Sequence, residues 1–197
     1  MEIIYDYETL SEDQFVAPVV CVAGIEFDSE RFVDNPYTWE ELLDITKFQK
    51  YNVQEQVEKY GRKIRKFTLD WWKRQEPEVQ ELLKPSDEDV SVDELYNFLC
   101  DELNMVTAKK VWTRGNTFDP IVTLSMFNAT GHKDRTPWWT IRDVRSYIEG
   151  FTYGTDIKHY FVPKDVEDKF KQHDPRHDVA MDVYRMQFLI NTMYGKD

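Results

Sequence analysis

Carboxylate side chains stand at three places in this sequence where they could gather a divalent cation. Asp6 and Glu8 lie two residues apart in a β-prone segment, so both side chains would project from one face of a strand. Like charges a few ångströms apart either raise a pKa or recruit a cation, and hard carboxylate oxygens suit Mg²⁺ or Mn²⁺. An acidic pair is also common at an ordinary solvent-facing strand end, so this pair alone does not decide between the two interpretations.

A third acid, Asp119, ends a short motif that begins at Asn116 and directly precedes Pro120. A carboxylate in this connection between a predicted strand and a predicted helix could complete a metal site. It could equally cap the helix that Pro120 favours at its first turn. Arg114, just before the motif, could contact a phosphate, or it could pair with any of the 37 acidic residues of the chain.

A histidine and a further aspartate lie near the start of the last predicted helix. His173 is separated by four residues from Asp178, and the helix dipole favours an acid at such a position in any protein. An imidazole, with an ordinary pKa of about 6.5, suits a general base at neutral pH. His177 is the alternative base. Adjacent helical residues point about 100° apart, however, so His177 and Asp178 would not readily share one site, and His173 is preferred.

Hydrophobic patterning predicts the elements that must position these groups. β-branched and aromatic runs indicate strands, and apolar residues at helical spacing indicate helices. Strands are expected at residues 3–7, 18–25, 109–113 and from 138, and helices at residues 91–103, 121–127, 144–148 and about 177–194. Strands interleaved with helices predict an α/β fold with a mixed sheet flanked by helices.

The segment at about residues 52–90 is charged and helix-friendly, and proline forces a boundary near Pro77. We therefore expect an inserted helical arm. The arm carries Trp71 and Trp72 beside two basic residues, a combination that could stack a base and hold a phosphate. The alternative interpretation is that one of these tryptophans belongs to the core and the other is half-buried.

The composition is that of a folded protein, with 41% hydrophobic and 15% aromatic residues among 197. This length predicts a single domain spanning residues 1–197. Trp112, Trp138 and Trp139 are expected in the core, and so is Phe118 unless it contacts a substrate.

Cys21 and Cys100 are the two cysteines, and they stand far apart in sequence, which predicts neither a zinc site nor a disulfide framework. No apolar run approaches the roughly 20 residues of a membrane span, and the N-terminus is acidic where a signal peptide is basic. We expect a cytoplasmic protein that does not interact with membranes.

The formal net charge of -12 argues against nucleic-acid binding through a broad basic surface. The objection weakens if the acidic residues hold cations, because bound divalent ions reverse the local sign of the charge where a phosphate would sit.

Taken together, the three motifs resemble those of the DEDDh exonucleases of the RNase H-like superfamily. The matching motifs are Asp6-x-Glu8, Asn116-x-x-Asp119 with the aromatic Phe118 before the acid, and His173-x4-Asp178. Residues 68–75 and 85–91, within the arm, resemble a branch of the family that digests single-stranded DNA in T-even phages. The resemblance spans nearly the whole chain and implies an RNase H-like fold.

The activity implied by this resemblance is hydrolysis of phosphodiester bonds at a free 3′ end of single-stranded nucleic acid, DNA favoured, releasing nucleoside 5′-monophosphates. Two divalent ions, Mg²⁺ or Mn²⁺, would be held by four acids, with His173 as the base. The implied ligands are Asp6, Glu8, Asp119 and Asp178. The implied or possible substrate contacts are Thr9, Leu10, Trp71, Trp72, Arg114, Asn116 and Phe118. A phage-encoded protein would act in the host cytoplasm.

Three alternatives stay open at this point. A related branch of the family trims RNA, so an exoribonuclease of the same fold is the nearest alternative. A nucleic-acid-binding module that has lost catalysis is disfavoured because all four acids and the histidine are present. The same ions could also serve a phosphatase that acts on small substrates.

Overall fold

The computed structural model describes residues 1–194, and a five-stranded mixed sheet lies at its centre. The limit at residue 197 expected from the sequence lies outside the described residues. The strands are β1 (Glu2–Thr9), β2 (Val19–Phe27), β3 (Lys47–Lys50), β4 (Val111–Thr113) and β5 (Ile141–Asp143). Their order across the sheet is β3-β2-β1-β4-β5. β1 and β3 each run antiparallel to β2, whereas β4 runs parallel to β1 and β5 parallel to β4.

Helices pack on both faces of this sheet, so the mixed α/β fold expected from the sequence is confirmed. The α-helices are α1 (Arg31–Asp34), α2 (Trp39–Asp44), α3 (Val53–Tyr60), α4 (Lys66–Trp72), α5 (Pro77–Gln80), α6 (Leu95–Asn97), α7 (Asp119–Thr130), α8 (Val144–Thr152) and α9 (Pro175–Tyr194). Short 3₁₀ turns occupy Glu81–Leu83, Val92–Glu94, Trp138–Thr140 and Glu167–Lys169, and a π-helical turn occupies Phe98–Glu102. In the part of the chain described here, no helix is both long and apolar enough to cross a membrane.

Strand β1 sends alternate side chains into two separate cores, as the two-residue period of a strand requires. Tyr5 and Tyr7 belong to the core that contains the buried side chains of α7. Ile4 belongs to the core that contains those of α8 and α9. Asp6 and Glu8 lie two and four residues after Ile4 in the strand, so their side chains project from the same face of the sheet as Ile4. This is the face against which α9 packs.

The arm leaves the sheet after β3 and returns to the same edge. The Asn52 amide donates to the Val90 carbonyl (2.8 Å) and the Val90 amide donates to the Lys50 carbonyl (3.0 Å), so both ends of the arm are pinned together. Within the arm, Trp72 is fully buried and donates from Nε1 to the carbonyl of Thr9 (3.0 Å). This hydrogen bond ties α4 to the end of β1.

Two features of the local structure differ from those expected from the sequence. Trp138 and Trp139 are 78% and 61% exposed rather than in the core, because they form a 3₁₀ turn ahead of β5 instead of its first residues. Helix α9 begins at Pro175 rather than near residue 177. It begins earlier because the carboxylate of Asp174 accepts from the Arg176 amide (3.1 Å), an N-capping contact, and proline is favoured at the first helical position.

Candidate active site

Asp6 and Glu8 stand at the end of β1, where the register of β1 against β2 shifts between Glu8 and Thr9. Asp6 is half-buried, and Glu8 is 9% exposed. Helix α9 packs across β1 and β2, so its first turn lies over this strand end. Helix α9 therefore covers the carboxylates of Asp6 and Glu8 and adds a third carboxylate to them.

That third carboxylate belongs to Asp178. Its Oδ2 accepts a hydrogen bond from the backbone amide of His173 (2.9 Å), which holds the segment before α9 against the helix. His173 has a φ of 67°, a left-handed conformation that costs a non-glycine residue roughly 1–2 kcal/mol. One potential metal-ligand atom each from Glu8, His173 and Asp178 lie within 4.8 Å of one another.

Asp119 reaches the same strand end from the opposite face of the sheet. It is the first residue of α7 and is 4% exposed. Thr123, one turn later, donates from Oγ1 to the Asp119 carbonyl (3.0 Å) and is hydrogen-bonded to the buried hydroxyls of Tyr5 (3.1 Å) and Tyr7 (2.9 Å). These contacts anchor the start of α7 to β1, and Asp119 lies close enough for its charge to act on Asp6.

Burial and mutual repulsion raise the pKa values of all four acids. Burial is the main cause for Asp6, and the charge of Asp119 adds to it. Burial likewise dominates for Glu8 and Asp178, where the charge of Asp6 adds to it in each case. The pKa of Asp119 rises to about 7, mainly because it is buried. Such a set favours either protonation or a bound cation, and carboxylate oxygens with one imidazole are suitable ligands for divalent metals.

A fifth acid, Asp182, belongs to this site and was missed by the sequence analysis. It lies one turn after Asp178 on α9 and is 3% exposed. Arg114 donates to it from Nε (2.8 Å to Oδ2), and Arg185 donates from Nη1 (2.8 Å to Oδ1). Arg185 also donates to the carbonyl of Phe161 (2.6 Å), so the network joins β4, α9 and the segment before α9. The spacing of Asp178 and Asp182 on one helix was the available signal.

The site opens into a cavity of about 430 Å³. Both acidic and basic side chains line it, so it can face both cations and a phosphate chain. Its lining residues are Asp6, Tyr7, Glu8, Arg114, Arg145, His159, Tyr160, Val162, Phe170, Gln172, His173, Asp178, Asp182 and Arg185.

A second cavity, of about 330 Å³, shares Tyr7 and Glu8 with the first. Half of its lining residues are aromatic, and most of the lining comes from the arm and from the end of β1 with the residues that follow it. Four of the expected substrate contacts lie there, namely Thr9, Trp71, Trp72 and Phe118. Trp71 is half-buried, and its ring stands edge-on to His173 with centroids 4.8 Å apart.

Of the three remaining expected substrate contacts, only Arg114 lines one of these two cavities. Leu10 packs in a small core with Trp72 and Val79 and lines neither cavity. Asn116 lies in the loop before α7 and lines neither cavity. Arg114 lines the larger cavity, but its guanidinium is already paired with Asp182.

The two histidines considered as bases are separated by the fold. His173 stands beside Glu8 and Asp178, whereas the His177 ring lies 5.7 Å from that of Trp39 and its Nδ1 accepts from the Lys171 amide (3.3 Å). Burial lowers the pKa of His173 below its ordinary value, which keeps its imidazole neutral and able to accept a proton near pH 7.

Comparison with known proteins gives consistent matches. The model of the 3′-5′ exoribonuclease Rv2179c-like domain matches residues 1–183. The exodeoxyribonuclease of Enterobacteria phage T4 is 30% identical, in an alignment that covers 98% of this chain and 91% of that protein.

Solved structures of exonuclease I share the fold. One exonuclease I structure matches with a TM-score of 0.59 at 17% identity, covering 96% of this chain and 40% of that one. E. coli exonuclease I in complex with a 5cy-dT13 oligonucleotide matches with a TM-score of 0.58 at 14% identity, covering 98% and 40%. The chain thus spans about two fifths of the length of these exonuclease I chains, and at such identities the likeness concerns the fold alone.

Proposed function

The chain belongs to the 3′-5′ exoribonuclease Rv2179c-like domain family and is a 3′-5′ exonuclease, and from this premise we propose that it degrades single-stranded DNA by a metal-dependent mechanism. The observation that carries the proposal is the meeting of Glu8, His173 and Asp178 within 4.8 Å beside Asp6, at the wall of one cavity. DNA is favoured because the phage T4 relative, aligned over nearly its whole length, is an exodeoxyribonuclease.

The acids suit divalent cations by their chemistry. Asp6, Glu8, Asp119 and Asp178 would hold two ions, Mg²⁺ or Mn²⁺, because clustered buried carboxylates with raised pKa values are stabilised by a cation. When bound, such ions neutralise charge that develops on the phosphate oxygens and make the attacking water more acidic.

The residues of the chain perform the remaining tasks. His173, neutral near pH 7, accepts the proton of the attacking water at an imidazole nitrogen. Trp71 and Phe118 offer aromatic surface for the base at the 3′ end in the second cavity. Arg114 and Arg185 both donate to the single carboxylate of Asp182, so these three side chains carry one net positive charge at the wall of the larger cavity, where the phosphate backbone would pass.

Digestion of matched single strands of DNA and RNA is the test of this proposal. With Mg²⁺, a 5′-labelled DNA strand should yield a stepwise ladder shortened from its 3′ end, at least about tenfold faster than RNA of the same sequence. A chelator should stop the reaction, and a circular single strand should survive because it has no free end. Faster digestion of RNA would assign an exoribonuclease, which the name of the matching family favours. Absence of metal-dependent digestion of both would overturn the proposal.

The stability of the metal-free protein should fall as pH rises from about 4 to about 7. The pKa of Asp119 rises from 3.8 to about 7 on folding, so the folded state binds its proton more tightly than the unfolded state does. This contribution is fully present below about pH 4 and is lost as the carboxyl ionises. Mg²⁺ binds the ionised acids, and it should raise Tm by on the order of 5 °C at pH 8 and much less at pH 5. Thermal melts with Mg²⁺ or chelator measure this, and an equal shift at both pH values would contradict it.

A further inference from the structure

A basic and aromatic surface lies outside both cavities, on the segment that leads into the edge strand β5. Its aromatic members, Trp138 and Trp139, are both exposed, with ring centroids 5.8 Å apart and nearly perpendicular planes. Exposing two large aromatic side chains side by side to water is costly, so an exposed pair of this kind marks a contact surface.

Four basic residues flank this pair in the sequence. Lys133, Arg135, Arg142 and Arg145 are all exposed, and none forms a salt bridge with an acid of residues 1–194. The two acids of the segment are engaged locally. Asp134 accepts from the Thr136 amide (2.8 Å), and Asp143 accepts from the Arg145 amide (3.1 Å) and the Ser146 hydroxyl (2.6 Å). In a chain of net charge -12, this segment is therefore locally positive.

The segment that carries this surface also contributes a residue to the larger cavity. Arg145 lines that cavity together with His159, and its charge acts on His159, whose pKa is lowered first by burial and then by the charges of Arg114 and Arg145. Arg145 lies six positions after Trp139, so their Cα atoms are at most about 22 Å apart. Arg142 lies between them with its Nη1 bonded to the carbonyl of Trp139 (2.7 Å).

We propose that Trp138, Trp139 and Arg142 form a second binding surface for single-stranded DNA, which holds the strand upstream of the 3′ end that occupies the cavities. Aromatic rings stack on bases of any sequence, and unpaired guanidinium groups neutralise phosphates. The combination of the two suits a nucleic-acid strand better than an apolar protein face. The inference rests on the proposed function, and it also accounts for how an acidic protein retains a polyanion away from its metal site.

Binding of long and short oligonucleotides tests this surface separately from catalysis. In chelator, where no hydrolysis is expected, fluorescence anisotropy would measure the affinity of the protein for 5′-labelled oligothymidylates of 20 and 4 nucleotides. The double variant Trp138→Ala/Trp139→Ala should bind the 20-mer at least about tenfold more weakly and the 4-mer as the wild type does. With Mg²⁺, its rate on the 4-mer should equal that of the wild type.

Two further variants test whether the loss of affinity is specific to this surface. Phe15→Ala removes another exposed aromatic ring, one that lines neither cavity, and should leave both affinities unchanged. Arg142→Gln should weaken 20-mer binding and lower the slope of log affinity against log salt by about one, as loss of one phosphate contact requires.

Wild-type affinity of the Trp138→Ala/Trp139→Ala and Arg142→Gln variants for the 20-mer would overturn the inference while leaving the exonuclease proposal intact. So would a wild-type dimer that the double variant converts to a monomer with unchanged DNA binding, since the surface would then join two copies of the chain. Conversely, weaker 20-mer binding by a protein that hydrolyses no nucleic acid would retain this surface and reject the proposed function.

Discussion

Asp6→Asn is expected to lower kcat for removal of 3′-terminal nucleotides by on the order of 10³-fold or more. Asn has nearly the same shape as Asp but lacks its charge, and an amide is a poor ligand for a divalent ion beside three other carboxylates. Asp6 is central to the set, because its charge raises the pKa values of both Glu8 and Asp178. When several side chains act together in catalysis, removal of one of them abolishes most of the rate enhancement that they provide together.

The structure suggests how to separate this effect from misfolding. Asp6 is half-buried among repelling acids, so the Asn variant should be at least as stable as the wild type in chelator above pH 7. It should also show a smaller rise of Tm on addition of Mg²⁺. Asp44→Asn is the matched control, because it removes the same charge from an exposed position and should leave kcat unchanged.

Steady-state digestion of a labelled single strand measures the effect of Asp6→Asn, with Tm recorded in parallel. Activity within tenfold of the wild type at saturating Mg²⁺ would remove Asp6 from the proposed metal site. A loss of activity together with a lower Tm in chelator would instead indicate a structural role for this carboxylate.

His173→Ala is expected to lower kcat by about 10²- to 10⁴-fold while divalent-ion binding persists, as for loss of a general base. The decrease of activity at acidic pH should also depend on His173. Burial lowers the pKa of His173, so wild-type activity should fall only below about pH 6.5, where the imidazole becomes protonated and can no longer accept a proton. The residual activity of the variant should not show this decrease.

His177→Ala is the matched control for the base. It removes another half-buried imidazole four residues away, one that lies against Trp39 rather than beside Glu8. Its kcat should stay within about threefold of that of the wild type. Full activity of His173→Ala would reject the assignment of the base.

The position of His173 also permits a second role, which metal titration distinguishes. Its imidazole lies within 4.8 Å of ligand atoms of Glu8 and Asp178, so it could bind an ion itself. Calorimetric titration of His173→Ala with Mn²⁺ should give the wild-type number of ions and similar affinity if it is the base. Loss of one bound ion would make it a ligand instead.

The sequence was sufficient for those features that depend on local periodicity. The two-residue alternation of β1 predicts that Asp6 and Glu8 share a face, as found, and Pro120 predicts that a helix begins close to it, where α7 begins one residue earlier at Asp119. The resemblance carried by the order of the motifs predicted the family and the mixed sheet, and both are confirmed. Local signals suffice here because strand alternation and proline geometry act within a few residues.

Other features arise from contacts between residues far apart in sequence, and no local pattern contains them. The Arg114–Asp182 pair joins β4 to α9, and Trp72 is buried because its indole reaches the carbonyl of Thr9. Trp138 and Trp139 look like core residues by type, yet the chain places them in a turn at the sheet edge, exposed to solvent. The sequence by itself therefore determined which groups could do chemistry, and the tertiary structure decided which of them meet, because burial and pairing depend on the packing of distant segments.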